Sequence, residues 1–233
     1  MRWAAPKIWL NGDVWIIGGG PSVPKVFDVP QTIIDKVVNK TLPVSSYSPY
    51  MEAIHDKHII GINAAYEIGD WIDIVFFGDS RFFKVFETRL MAFSGMKVGC
   101  CVRSTKNQWV RFLAKDGKGY GISTNPETVA WNGNSGAASI SMAVNMGVKR
   151  IFLLGFDMAL NDKKQKHWHD MYTELRVHRN NNVKAKLPFD THLKGFPSIK
   201  RDADKLGVEI YNVSPDSVIK EFPKITLEQA LAL

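Results

Sequence analysis

The chain has 233 residues, 45% hydrophobic and 23% charged, which is ordinary globular material long enough to bury a full core without disulfides or a structural metal. No stretch approaches the roughly 18 consecutive apolar residues that a membrane-spanning helix requires, which excludes a span of that kind. A formal charge of +7 and a pI near 9.3 favour a polyanionic partner, nucleic acid included, or an anionic substrate such as a nucleotide; the plainer reading is solvated lysine, since no long Lys/Arg run occurs.

The N-terminal residues are interrupted by Pro6, Lys7 and Asn11-Gly12-Asp13 and lack the unbroken apolar core of a secretory signal, so a cytoplasmic location is expected. Val14-Trp15-Ile16-Ile17 reads as the first strand and empties into Gly18-Gly19-Gly20-Pro21-Ser22. Glycines there permit positive φ and remove Cβ atoms, so a phosphate can approach backbone N–H groups, and Ser22 adds a hydroxyl donor or a cap. The same pattern is also an ordinary tight turn. Further strands are expected over residues 58–62, 73–77, 97–102, 150–154 and 208–213.

Helices are expected over 31–39, with Ile33, Ile34, Val37 and Val38 on one face, and over 81–93, with Phe82, Phe83, Phe86, Leu90 and Met91 on one face. An Ala/Ser/Met helix over 136–146 is closed by Gly147, another over 197–206 is stopped by Gly207, and Thr226-Leu227-Glu228-Gln229 has capping-box spacing. Residues 42–50 read as a Ser/Pro loop. The adjacent thiols Cys100 and Cys101 cannot easily bridge and read as buried in the strand over 97–102, in a reducing compartment. Residues 159–195 are polar and basic, with a brief helical tendency near 172–178, and read as a lid or acceptor loop inserted in one domain spanning 1–233.

Apolar strands separated by helices imply an α/β, Rossmann-like, mostly parallel sheet covered by helices on both faces, with ligands beyond the carboxyl ends of the strands. The polar candidates fall there: Gly18 to Ser22, Asn63, Asp79-Ser80 and Asp157 each follow a strand, and Ser135-Gly136 opens a helix. Asp79 suits ribose hydroxyls or a metal, or simply caps the next helix. Ser135 and Gly136 offer N–H groups to a phosphate, and Asn134 and Ser135 are also ordinary N-caps. His167 and His169 could ligate a metal with Asp157 or Asp170, one of them could serve as an acid or base, or the segment is simply an exposed loop. His192 is a further base candidate, whereas His55 and His58 read as structural. No Walker A lysine motif, metalloprotease helix or Ser/His/Asp order is present.

The ordered set Gly18-Gly19-Gly20-Pro21-Ser22, Asn63, Asp79-Ser80, Ser135-Gly136 with Ala138 and Ala143, Gly147, and Ile151 to Asp157 resembles two related groups. One is the archaeal 6-hydroxymethylpterin diphosphokinase-like family with its bacteriophage relatives; the other is the bacterial sialyltransferases that use a cytidine-monophosphate sugar. The similarity runs in short patches over residues 14–217. Phe156-Asp157-Met158 followed by His167-Trp168-His169 looks most like the phage relatives, and the tail from Glu209 to Ser217 looks like the closing strand and loop of both groups. In the sialyltransferases a catalytic histidine precedes the helix before that strand. His192 holds a comparable place, although Leu193-Lys194 replaces the usual Ser-Lys.

The residues and this resemblance together imply a nucleotide-dependent group transferase in one of two versions, with a non-catalytic module as the alternative from another class. A glycosyltransferase would hold a nucleotide-sugar donor with Gly18, Gly19, Gly20, Pro21, Ser22, Asn63, Asp79, Ser80, Ser135 and Gly136, and use His192, His169 or Asp157 catalytically on an anionic acceptor. A diphosphokinase would place Mg²⁺ on Asp79 and Asp157 and transfer diphosphate from ATP to a pterin-like hydroxymethyl group. A nucleotide or nucleic-acid binding module would keep the fold without the chemistry. Each version is compatible with a homo-oligomer.

Overall fold

The computed structural model describes residues 3–172 and 187–233. The main sheet has seven strands, all paired in parallel: β1 (Asp13–Ile17), β2 (Ile59–Ile62), β3 (Ile74–Phe77), β4 (Met96–Gly99), β5 (Arg111–Phe112), β8 (Arg150–Leu154) and β9 (Glu209–Asn212). A short parallel pair, β6 (Ala114–Lys115) and β7 (Thr128–Val129), lies apart from it. The order β5-β4-β3-β2-β1-β8-β9 runs outward from β1 in both directions, so the chain reverses its progress between β1 and β8. In an open parallel sheet the loops part at such a point and leave a crevice at the strand ends.

Alternation along the strands divides the core between the two faces. Trp15, Ile17, Val75 and Phe77 face a cluster with Phe82, Phe83, Phe86 and Leu90 of α3 (Ser80–Ala92) and Val37 of α2 (Gln31–Val38). Val14, Ile16, Ile60, Ile62, Ile74 and Phe76 face α4 (Ser135–Asn145), α6 (Phe196–Leu206) and the residues around them. Small side chains let α4 lie close to the sheet, and its residues from Ser135 to Ala143 are all buried. The Ser141 hydroxyl accepts hydrogen bonds from the Ser123 and Ala130 N–H groups. At the far end of β1, Arg150 donates to both oxygens of Asp13, at 2.7 and 2.8 Å.

The six expected strands and five expected helices are present to within a few residues, apart from the end of β4. That strand stops at Gly99 rather than 102, because the Ser104 N–H and hydroxyl both return to the Cys101 carbonyl and turn the chain. Cys100 and Cys101 are free and buried, as expected, but lie beyond the strand; burial pushes the Cys100 thiol up to about 12. Residues expected to form a Ser/Pro loop belong instead to a 3₁₀ segment, Val44–Ile54, because Val44, Tyr47, Met51 and Ile54 turn one apolar face into the core. Met91 is 60% exposed, off the buried face of α3.

Short elements escaped the sequence: α1 (Val23–Val26), β5, β6, β7 and α5 (Phe189–Leu193), the last within the expected lid. The expected helical tendency near 172–178 lies almost wholly outside the described residues. His55 stacks on Trp71 and His58 on Trp9, in structural roles. The capping box at α7 (Leu227–Leu231) forms as read.

Phe86 is fully buried and stacks on Phe82 at 4.6 Å. Phe86→Ala should therefore lower unfolding free energy by about 3–5 kcal/mol in urea titrations. Met91→Ala on the same helix should change it by less than about 0.5 kcal/mol.

Candidate functional site

The loop leaving β1 is held from three sides. The Gly18 N–H donates to the Leu154 carbonyl at 2.7 Å and the Gly20 N–H to the Gly155 carbonyl at 2.9 Å. The Gly18 carbonyl accepts from the Trp168 indole at 2.9 Å, and the Gly19 carbonyl from His167 Nδ1 at 3.1 Å. A Cβ on Gly20 would lie 1.8 Å from Asp157 Oδ2, and one on Gly18 2.7 Å from the Gly155 oxygen. None of the three glycines has positive φ, so close approach is what demands them, rather than the conformational freedom the sequence first brings to mind. Ser22 donates to Asp157 Oδ2 at 3.0 Å. Burial raises the Asp157 carboxyl above its usual value, and the Ser22 bonds oppose that rise.

Because a carbonyl only accepts, His167 carries its proton on Nδ1 and presents Nε2 as its basic nitrogen when neutral. His169 Nδ1 accepts from the Met171 N–H at 3.2 Å, which puts its proton on Nε2. Burial and the neighbouring His167 hold the His169 pKa well below 6.5. The His167-Trp168-His169 segment thus braces the glycine loop from outside, with Tyr47 donating to the Trp168 carbonyl at 3.1 Å.

The opposite wall comes from β2, β3 and α4. Asn63 sits at φ 52° directly after β2, its side chain bonded to the Tyr172 hydroxyl and its Oδ1 buried without a partner among the described residues. Asp79 caps α3 by accepting from the Arg81 N–H at 2.7 Å and pairs with the Arg81 guanidinium at 3.0 Å. Burial pushes its carboxyl up, but the Arg81 bonds and charge outweigh that and hold it below the usual range. Asn134 caps α4 by accepting from the Ala137 N–H at 2.8 Å, and Ser135 Oγ accepts from the Gly78 N–H at 3.1 Å. The N–H groups of Ser135 and Gly136, in the first turn of α4, have no intrahelical acceptor. Asn134 also donates to the His192 carbonyl at 3.3 Å, tying α5 to the start of α4. Burial, then the charge of Lys166, lowers the His192 pKa, so its imidazole is neutral near pH 7.

Gly18, Gly19, Gly20, Asn63, Asp79, Ser135, Gly136, His167 and His192 all line one cleft of about 510 Å³ at the carboxyl ends of the strands. Pro21, Ser22 and Asp157 border a small recess on the other side of the loop. Ser80 is exposed in the first turn of α3, and His169 is buried, stacked on His167. Among the described residues no three His, Cys, Asp or Glu side chains converge as a metal ligand set. Asp79 is engaged by Arg81, and Asp157 by Ser22 behind the loop.

The cleft also contains Arg81, Trp131, Lys166, Tyr172 and Phe189, which sequence reasoning passed over as site residues. Lys166 was hidden in the general positive charge, although it immediately precedes His167. Trp131 had a signal in its place four residues ahead of the Ser135 helix start.

No protein-family model and no curated protein sequence matches the chain, so the diphosphokinase-like resemblance has no support from them. Solved structures do match. The sialyltransferase CST-II, from Campylobacter jejuni, in complex with a trisaccharide acceptor and CMP, aligns with a TM-score of 0.51 at 16% identity, over 92% of this chain and 86% of that one. This chain shares its fold. MAf glycosyltransferase from Magnetospirillum magneticum AMB-1 aligns with a TM-score of 0.55 at 12% identity, covering 97% of this chain but 36% of that one. At these identities the likeness is one of fold, and it agrees with the mostly parallel α/β sheet read from the sequence.

Two outcomes follow from the packing of the loop and the buried histidines. Gly20→Ala should destabilise the protein by about 1–3 kcal/mol through overpacking, while Gly117→Ala, whose Cβ would meet nothing within 4 Å, should change stability by less than about 0.5 kcal/mol. His169 and His192 are held below their usual 6.5 in the folded state, so their contribution to stability is fully present above that value and is lost as pH falls below it. Urea midpoints should therefore drop from about pH 7 to about pH 5, and the drop should be shallower in His169→Phe if that variant folds.

Proposed function

We propose that the protein is a glycosyltransferase-like enzyme that takes a nucleotide-sugar donor, of the cytidine-monophosphate kind, and passes the sugar to an acceptor hydroxyl. The observation that carries this reading is that the glycine loop, the first turn of α4 and the neutral imidazole of His192 border the same cleft. The Gly19 N–H of the glycine loop and the N–H groups of Ser135 and Gly136, with the positive end of the α4 dipole, would together hold the donor phosphate. Asn63 and Asp79 would take hydroxyls of the ribose or groups of the base.

In the transfer step the acceptor oxygen bonds to the anomeric carbon of the donor sugar while the bond from that carbon to the phosphate oxygen breaks. His192 takes the acceptor proton, and the leaving phosphate keeps the electron pair, stabilised by the α4 N–H groups and the Lys166 charge. His167 and His169 brace the loop in this scheme, and Asp157 and Ser22 fix its underside. Asp79 is engaged by Arg81 and Asp157 by Ser22, and neither carries Mg²⁺ in this scheme.

The test is a thermal-shift series with cytidine, uridine, guanosine and adenosine phosphates, each with and without Mg²⁺. Stabilisation by CMP without metal is expected. ATP stabilisation that needs Mg²⁺ would contradict the proposal in favour of diphosphoryl transfer. His192→Ala should keep the CMP shift and lower turnover of a CMP-sugar by about 10²–10⁴-fold. A wild-type protein that binds CMP and never turns the donor over would instead be a binding module.

A further inference from the structure

Residues 100–121 carry five cations, Arg103, Lys106, Arg111, Lys115 and Lys118, against one carboxylate, Asp116. All five are exposed, and none forms an ion pair among the described residues. Asp116 is occupied within its own turn, where it accepts from the Gly119 N–H at 3.2 Å. Aromatic rings alternate with the charges: Trp109, Phe112 and Tyr120 each keep part of their surface in solvent, and Tyr120 is 44% exposed. Trp109 is anchored against Phe83, with ring centroids 5.8 Å apart.

The fold gathers these residues at one corner of the sheet. Beyond the end of β4 at Gly99, a 3₁₀ turn, Val102–Lys106, packs against α3, and β5 returns as the outermost strand with Arg111 in register with Val98. The Leu113 N–H donates to the Gly99 carbonyl at 3.0 Å, so the chain leaves β5 past the carboxyl end of β4. There the Lys115 ammonium stands 3.5 Å from the ring centroid of Trp131, a residue that borders the cleft. The patch thus starts beside the cleft and runs to the edge of the sheet, while the five cations themselves lie outside the cleft lining.

We propose that this corner binds single-stranded nucleic acid, its cations taking phosphates and its solvent-facing rings taking bases. Cations alone suit any polyanion. Rings set between them suit one whose charges alternate with flat faces, because base stacking on an aromatic side chain adds to the backbone attraction. Arg103 and Arg111 bring the planar fork that meets a phosphate with two hydrogen bonds. None of the five cations is carried by an α-helix that could enter a major groove; they sit on a 3₁₀ turn, on strands of two residues and in a turn. An unpaired strand, whose bases are already open to stacking, is the form that fits. The proposal goes beyond the glycosyl-transfer reading and does not depend on it.

The test is fluorescence anisotropy of a labelled oligothymidylate of about twelve nucleotides with the whole chain, in the absence of CMP. Between about 50 and about 200 mM KCl the affinity should fall roughly 50-fold, the drop expected when about four phosphates of a single strand are neutralised. The double variant Arg103→Glu, Lys106→Glu should bind at least about tenfold more weakly and with a flatter salt dependence. Tyr120→Ala should lose about fivefold to a hundredfold in affinity with the salt dependence unchanged. Urea midpoints should stay near that of the wild type, because all three side chains are exposed. No binding of the oligothymidylate, equal affinity for a heparin fragment or polyglutamate of matched charge, tighter binding of a duplex of the same length, or an affinity unaltered in either variant would each overturn the proposal.

Discussion

The loop from Gly18 to Gly20 lies so close to Gly155 and Asp157 that a Cβ on Gly18 or Gly20 would force its neighbours to move. That contact joins the ends of β1 and β8, the two strands between which the sheet reverses its winding. Closing it brings the first loop down onto the Asp157 carboxylate, which Ser22 then binds, and leaves the carbonyls of Gly18 and Gly19 to be met by Trp168 and His167. The tail after β9 locks the other side, since Ser214 accepts from the Phe156 N–H and Ser217 donates to the Phe156 carbonyl. One tight backbone approach thus sets the floor of the cleft and the position of the segment that lines its edge.

The cleft's chemistry follows from the parallel sheet above that contact. Parallel strands deliver all their C-terminal loops to one edge, so Asn63, Asp79 and the glycine loop meet without any helix having to travel. α4 adds its positive end to the same place because its small residues allow it to lie deep against β2 and β3. Two of the polar groups there serve the fold as well as the cleft: Asp79 caps α3, and Asn134 caps α4 while holding α5. Capping a helix and lining the cleft are thus compatible at these positions. A cap residue at the carboxyl end of a strand stands where a ligand would arrive.

Much of this was legible in the sequence, and the failures have a common cause. Strand ends, glycine loop and helix starts were readable because each rests on local pattern: apolar runs of four or five residues, and Asn or Asp ahead of a helix. Elements of two to five residues, such as β5, β6, β7 and α5, carry too few side chains to show a period. The 3₁₀ segment at Val44–Ile54 was masked by its serines and prolines, which speak for turns, while Tyr47 and Met51 spoke for burial only once the neighbouring helices were in place. The separation of Asp157 from the cleft was invisible for another reason. A strand-end carboxylate is compatible with either side of a loop, and only the packing against Gly20 decides which.

The central claim is that the glycine loop and the first turn of α4 act together as one phosphate site. Amide-resolved NMR of the ¹⁵N-labelled chain titrated with CMP tests it most directly. The account predicts that the N–H resonances of Gly19, Ser135 and Gly136 move together with a single affinity, while those around the recess of Lys25 and Asp216 stay in place. Shifts gathered at that recess, or at only one of the two elements, would contradict it.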